Sequence, residues 1–313
     1  MPDDCGSPPD THRAIVVGAG SGGIAAALRT RRAGYQVTLV ERLPTIGGRA
    51  RAFRQDGFTF DAGPSVITAP NLFEELFALF GERMSEHVEM LPVRPWYRIL
   101  FADGRQFDYG NTAAEMRAAV TAFAPGEEVG YDRLMHRSRV LYEVGFERYG
   151  MQSFHRFGSM LRALPALLCL GGHRSVSGLV NSCIRDEALR RVFSLQPLLV
   201  GGHRFRTSAI YALIPYLEQK WGVWFPRGGT GALVAALGEH MLSNGIRLEL
   251  GRTVSRILVK GGRAAGVELE GSDTLPAAVV IANADAPQVQ AMLLPRTARS
   301  ERRVSYAGIW VTP

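Results

Sequence analysis

Paired cysteines, metal-binding spacings and long apolar runs are scarce or missing in this 313-residue sequence, and each absence closes off a class of protein. Cys5, Cys169 and Cys183 are odd in number and show no C-x-x-C spacing. A disulfide framework is thereby excluded, and reduced thiols in a cytoplasmic protein are expected. The histidines at 12, 87, 136, 155, 173, 203 and 240 lack the H-x-x-x-H or Cys/His spacing of a metal site, so no metal is expected. The most lipid-like run, 163–170, falls far short of the roughly 20 apolar residues that a spanning helix needs. The chain is therefore expected to touch a membrane but not to cross one. Residues 1–13 hold Asp3, Asp4, Pro8 and Pro9 without an apolar core, which reads as a flexible leader rather than a signal peptide. The net charge of +7 comes from dispersed arginines and not from one basic block. That argues against a nucleic-acid surface and is compatible with attraction to anionic lipid.

What is present is a globular composition, 46% hydrophobic and 21% charged, long enough for two domains. The chain is organised around 14–41. Ala14, Ile15, Val16 and Val17 form a continuous apolar run, as a buried parallel strand does. Gly18-Ala19-Gly20-Ser21-Gly22-Gly23 follows at once and fits G-x-G-x-x-G. An alanine-rich helix over 24–32 stops at Gly34, and 35–40 resumes a β-branched run that ends on Glu41. In such a βαβ start, Gly18 permits the tight turn, Gly20 lets the backbone approach a pyrophosphate, and Gly23 lets helix and strand pack closely. The free N–H groups of the helix start and its dipole attract the phosphates. Glu41 stands where a carboxylate accepts hydrogen bonds from a ribose diol, which suits NAD or FAD and repels a 2′-phosphate.

Three later segments carry a resemblance. Gly47-Gly48-Arg49 follows the second strand, Asp61-Ala62-Gly63-Pro64 follows the aromatics Phe58 and Phe60, and Trp221-Gly222-Val223-Trp224-Phe225-Pro226 precedes Gly228-Gly229-Thr230-Gly231. Together these resemble the bacterial-type phytoene and carotenoid desaturases of the flavin amine oxidase superfamily. The resemblance implies an α/β fold, an FAD-binding Rossmann-like domain with an inserted mixed α+β substrate or cap domain. It implies that Gly18, Gly20, Gly22, Gly23, Glu41, Gly47, Gly48 and Arg49 hold the FAD, with Asp61, Ala62, Gly63 and Pro64 beside the flavin ring and Val254 against the adenine. Glycines expose N–H donors and arginine offers a planar fork to phosphate, so the donor types are right. Trp221, Trp224, Phe225 and Pro226 are implied to wall an apolar substrate cavity. On the residues alone, Phe58 and Phe60 also fit the buried face of a strand, and Val254 fits ordinary core. Arg162 falls where the family can carry an arginine near the flavin cavity and is the candidate catalytic residue, while Ser159 stands where some members have an acid.

The expected layout is a leader over 1–13, the first part of the FAD domain over 14–70, an inserted substrate and membrane-contact domain over 71–220, the second part of the FAD domain over 221–295, and the start of a further cap strand over 296–313. The insertion is expected to open with a helix over 71–81. A hairpin turning at Asp103-Gly104 and helices over 112–124 and 127–149 follow. Leu and Met around Pro165 suit either a core helix or one that lies on lipid between arginines. Members of the family continue beyond this length, so the resemblance implies a truncated product.

The implied chemistry is FAD-dependent desaturation of a long polyisoprenoid, phytoene or a related carotene. Such C–H bonds are too weakly acidic for a side-chain base, whereas a flavin accepts hydride. The protein is expected in the cytoplasm, held peripherally on the inner face of the cell membrane where a carotenoid substrate dissolves. Two alternatives are a flavin amine or alcohol oxidase, sharing the first motif, and an inactive flavoprotein fragment.

Overall fold

The computed structural model describes residues 12–110, 112–150 and 171–295. The leader through residue 11, Arg162 with the 163–170 run, and the expected strand over 296–313 lie outside the described residues. Two compact units form: one from 1–66, 72–90 and 225–313, the other from 67–71 and 91–224.

The first unit is built on a parallel sheet. Strand β1 (Arg13–Val17) has its apolar run fully buried at Ala14, Ile15 and Val16 because it is paired on both sides, with β2 (Gln36–Glu41) and with β13 (Val279–Ala282). Strand β9 (Arg247–Leu250) adds to the far edge of β2, giving the order β13-β1-β2-β9. Helix α1 (Ser21–Arg32) connects β1 to β2 and buries Gly23, Ile24, Ala27 and Leu28. Arg29, Arg31 and Arg32 in its last turn complement the helix dipole, and Gly34 ends the segment at φ +95°. Strands β10 (Val254–Lys260), β11 (Arg263–Leu269) and β12 (Thr274–Pro276) form an antiparallel sheet whose Ile257, Val267 and Leu269 share a core with Ile15 and Val40.

Strands β3 (Ala52–Gln55) and β4 (Phe58–Asp61) make a hairpin. Phe58 and Phe60 do not form a buried strand face: they are 67% and 44% exposed, and Phe60 stacks on Phe53, itself 47% exposed, at 5.2 Å. Helix α2 (Asn71–Ala78) and the loop after it were expected in the insertion, yet 72–90 belongs to the first unit. The reason is aromatic packing. Phe77 is fully buried against the ring of His240, 4.6 Å away on a later helix of that unit, and against His87 at 4.9 Å.

The second unit is mixed. Strands β6 (Tyr97–Leu100) and β7 (Gln106–Tyr109) pair as a hairpin around Gly104, at φ +84°. The strand β5 (Met90–Pro92) precedes it. Helix α3 (Ala113–Phe123) starts with a capping box, in which the Thr112 hydroxyl accepts from the Glu115 N–H and Glu115 accepts from the Thr112 N–H. Helix α4 (Glu128–Tyr142) ends earlier than the expected 127–149 helix, because residues Glu143–Arg148 widen into a π turn. Short helices α5 (Val176–Asn181), α6 (Glu187–Phe193) and α7 (Ile214–Trp221) complete the unit. Its core gathers Phe107, Tyr109, Val120, Tyr131, Leu134, Val180 and Phe193, and each such side chain contributes about 1.5–3 kcal/mol through burial. The strand β8 (Trp224–Pro226) then leads into α8 (Thr230–Ser243) of the first unit. Among the described residues no helix is long and apolar enough to cross a membrane.

Candidate functional site

The glycine turn between β1 and α1 is shaped by close backbone approach. Gly18 sits at φ +97°, and a Cβ at Gly23 would lie 1.9 Å from the Gly18 carbonyl oxygen, so helix and turn touch only because no side chain intervenes. No side chain caps α1, whose N-cap is Gly20, and its first N–H groups stay open to an anion.

Gly47-Gly48-Arg49 is brought to this turn directly. The Gly47 N–H donates to the Ala19 carbonyl at 2.7 Å, Gly20 and Gly47 form a parallel bridge, and a Cβ at Gly48 would stand 2.9 Å from the Gly20 Cα. Two glycine segments far apart on any periodicity thus share one surface. Arg49, exposed on the single turn Gly48–Ala50, has no ion-pair partner among the described residues, and its planar fork is free for a phosphate.

Glu41 is 6% exposed at the end of β2. Its Oε2 accepts from the Ala19 N–H at 2.7 Å and its Oε1 from the Leu43 N–H at 2.9 Å. These bonds lock the carboxylate against the glycine turn and leave about two of its roughly four acceptor positions for a ligand. Beyond it opens a cleft of about 480 Å³ lined by Leu43, Pro44, Thr45, Arg51, Ala52 and Phe53. Val254 is buried in the core that includes Val40, next to Glu41, and the Arg252 N–H donates to the Glu41 carbonyl.

The Asp61-Ala62-Gly63-Pro64 segment is tied down at both ends. Ala62 N–H donates to the Arg51 carbonyl, and a Cβ at Gly63 would lie 2.0 Å from the Arg49 carbonyl oxygen. Asp61, expected beside the flavin ring, spends its carboxylate on the start of α8: Oδ2 accepts from the Thr230 N–H at 3.1 Å and Oδ1 from the Gly231 N–H at 3.2 Å. The Thr230 hydroxyl donates to the Pro64 carbonyl. Asp61 therefore caps a helix across 169 sequence positions, and the segment's backbone is what remains to meet a ligand.

The tryptophans are held inside the second unit. Trp221 Nε1 donates to the Tyr142 hydroxyl at 3.0 Å, and Trp224 Nε1 donates to the Trp221 carbonyl at 2.6 Å. Ile67 and Trp224 exchange backbone hydrogen bonds as an antiparallel bridge. Phe225 is half-buried and Pro226 is buried, both in the first unit. Arg162 lies outside the described residues.

The family resemblance puts Asn283 at the end of a strand of the nucleotide sheet, where β13 ends beside β1, but sequence reasoning missed its contact with the glycine turn. Its N–H donates to the Val17 carbonyl, and its side chain covers the glycine turn, with Oδ1 2.7 Å from where a Cβ on Gly22 would stand. The signal was an asparagine just after an apolar strand, visible only once β13 is known to lie beside β1.

An uncapped helix start, close glycines, a buried acid at the end of β2 and an unpaired arginine together suit a dinucleotide pyrophosphate and its ribose. The donor set fits FAD. Comparison with known proteins agrees. The chain is 43% identical to a lycopene-forming phytoene desaturase of Pseudescherichia vulneris, covering 90% of this chain and 57% of that one. It is 44% identical to a lycopene-forming phytoene desaturase of Pantoea ananas, covering 86% and 55%. The chain thus spans little more than half the length of these relatives. Wild-type putrescine oxidase bound to putrescine shares the fold at a TM-score of 0.61, with 17% identity over 93% of this chain and 63% of that one. Residues 21–310 match the model of the flavin-containing amine oxidoreductases, and with the glycine cradle seen in its β1-α1-β2 unit, the chain belongs to that family.

Proposed function

We propose that this chain is an FAD-dependent desaturase of a long polyisoprenoid, phytoene or a related carotene, in carotenoid biosynthesis. The observation that carries this reading is the likeness to the two phytoene desaturases across most of the chain. When bound, FAD supplies the hydride acceptor that an unactivated C–H bond requires. The open N–H groups of α1 and the Arg49 guanidinium hold the pyrophosphate, and Glu41 reads the ribose. A hydrocarbon offers no hydrogen-bonding handle, so its register is set by the shape and apolarity of the walls that surround it. Trp221 and Trp224 of the second unit are residues proposed to supply such a wall.

The same reading places the protein at the inner face of the cell membrane, where such a substrate dissolves. Leu198, Leu199, Val200 and Phe205 of the second unit are each at least half exposed, and the Arg204 guanidinium lies 4.5 Å from the Phe205 ring centroid. Exposed apolar residues beside arginine suit insertion at an anionic lipid surface. The test is to incubate the full chain with FAD and phytoene-bearing anionic liposomes. Coloured polyenes in the pelleted liposomes are the expected result. A flavin-loaded chain that leaves phytoene colourless, or that turns over amines in its place, would overturn the proposal.

A further inference from the structure

Away from the glycine cradle, the first unit gathers Glu82, His87 and His240, whose ligand atoms all lie within 4.8 Å of one another. His87 Nε2 is 2.6 Å and His240 Nδ1 is 3.2 Å from the same oxygen, Glu82 Oε2. Linear spacing hid this group, since Glu82 and His240 are 158 positions apart.

The surroundings of His240 suit a ligand. Its ring is fully buried between Phe77 and Phe80. Nε2 lies 3.3 Å from the Leu76 carbonyl oxygen, an acceptor only, so Nε2 carries the hydrogen and donates. With the hydrogen on Nε2, Nδ1 carries the one in-plane lone pair of that nitrogen, and the Asn244 amide, 3.3 Å away, has the His240 carbonyl at 2.8 Å as its own acceptor. In that tautomer Nδ1 and Glu82 Oε2, 3.2 Å apart, are two acceptors, and either a proton or a metal ion held by both satisfies them. A metal-bound histidine commonly donates its other ring N–H to a backbone carbonyl, as His240 does to Leu76.

We propose that Glu82, His87 and His240 bind one zinc ion that pins the segment after α2 to helix α8. Two imidazoles and a carboxylate suit zinc better than calcium or magnesium, which prefer oxygen alone. Bonds of about 2.0–2.1 Å in a tetrahedron set ligand atoms roughly 3.3 Å apart. The His240 to Glu82 separation of 3.2 Å already meets this, the His87 to Glu82 separation of 2.6 Å must widen, and His87 must settle at a like distance from His240, now within 4.8 Å. His87 and Glu82 keep side-chain exposures of 25% and 32%, which gives the ion a path in and water the fourth position.

The test takes the full chain, stripped with a chelator, through titration with zinc chloride by calorimetry and with cobalt(II) by visible absorption. One zinc per chain, tetrahedral cobalt bands and a melting temperature that rises with zinc are expected. His87→Gln and Glu82→Gln, both at the partly exposed side of the cluster, should each weaken binding by at least about tenfold. Absence of saturable one-to-one binding in the unsubstituted chain would overturn the proposal, as would folded variants that bind zinc as tightly. That outcome would leave only a hydrogen-bonded cluster.

Discussion

Among single residues the most consequential buried acid is Glu218, fully buried on α7 of the second unit. The Tyr97 hydroxyl donates to Oε1 at 2.9 Å and the Tyr109 hydroxyl to Oε2 at 3.2 Å. Burial pushes its carboxyl up from 4.5 to about 7, against the pull of the two phenols, which favour the charged form. Because the folded-state value lies above the unfolded one, the folded chain holds this proton more tightly. Its contribution is therefore fully present below about pH 4.5 and is lost as pH rises to about 7, a difference on the order of 3 kcal/mol. Denaturant unfolding of wild type and Glu218→Gln at pH 5 and pH 8 checks this. The variant should lose the decline between the two values, gaining stability relative to wild type at pH 8. Equal slopes would show that the carboxylate is solvated. None of this was legible beforehand, since a glutamate at helical spacing in 214–221 looks like a solvated face until Tyr97 and Tyr109 arrive from another hairpin. Glu41 was legible, because its place follows from the strand that ends on it, yet its bond to the Ala19 N–H was not.

Among the elements, the two strands of the β1-α1-β2 unit were readable to within a residue and its helix to within three at the start, because each signal is local: an apolar run, a glycine turn, a stop at Gly34. The N-terminal device of helix α8 was not readable. A G-G-T-G run offers no capping side chain of its own at Gly229, and the cap comes from Asp61, at the end of a hairpin strand. Asp61→Ala should cost about 1–2 kcal/mol by orphaning two N–H donors and removing a charge that favours the helix dipole. Asp61→Asn, which keeps one acceptor, should lose less. Urea unfolding of both variants decides it, and an unchanged midpoint for Asp61→Ala would show that water replaces the carboxylate. The alternative that Phe58 and Phe60 form a buried strand face fails, because period two tells that residues share a face, not what covers it.

At the scale of the whole molecule, the sheet order β13-β1-β2-β9 closes the nucleotide unit with strands from the two ends of the chain. No local pattern announces such a crossover, and with it came the unforeseen contact of Asn283 on the glycine turn. The assignment of 72–90 to the first unit follows the same logic, since Phe77 packs on His240 of α8, far along the chain. What the sequence motifs did convey was which short segments must meet, and the bridge between Gly20 and Gly47 is that meeting. The central claim is that this junction grips a flavin dinucleotide. It is tested most directly by adding FAD to the purified full chain, removing excess, and reading bound flavin by absorbance beside Gly48→Val, whose side chain would enter the 2.9 Å approach to Gly20. The account predicts about one flavin per wild-type chain and at least about a tenfold weaker hold in the variant. A wild-type chain that stays colourless, or a folded variant that binds FAD equally well, would contradict it.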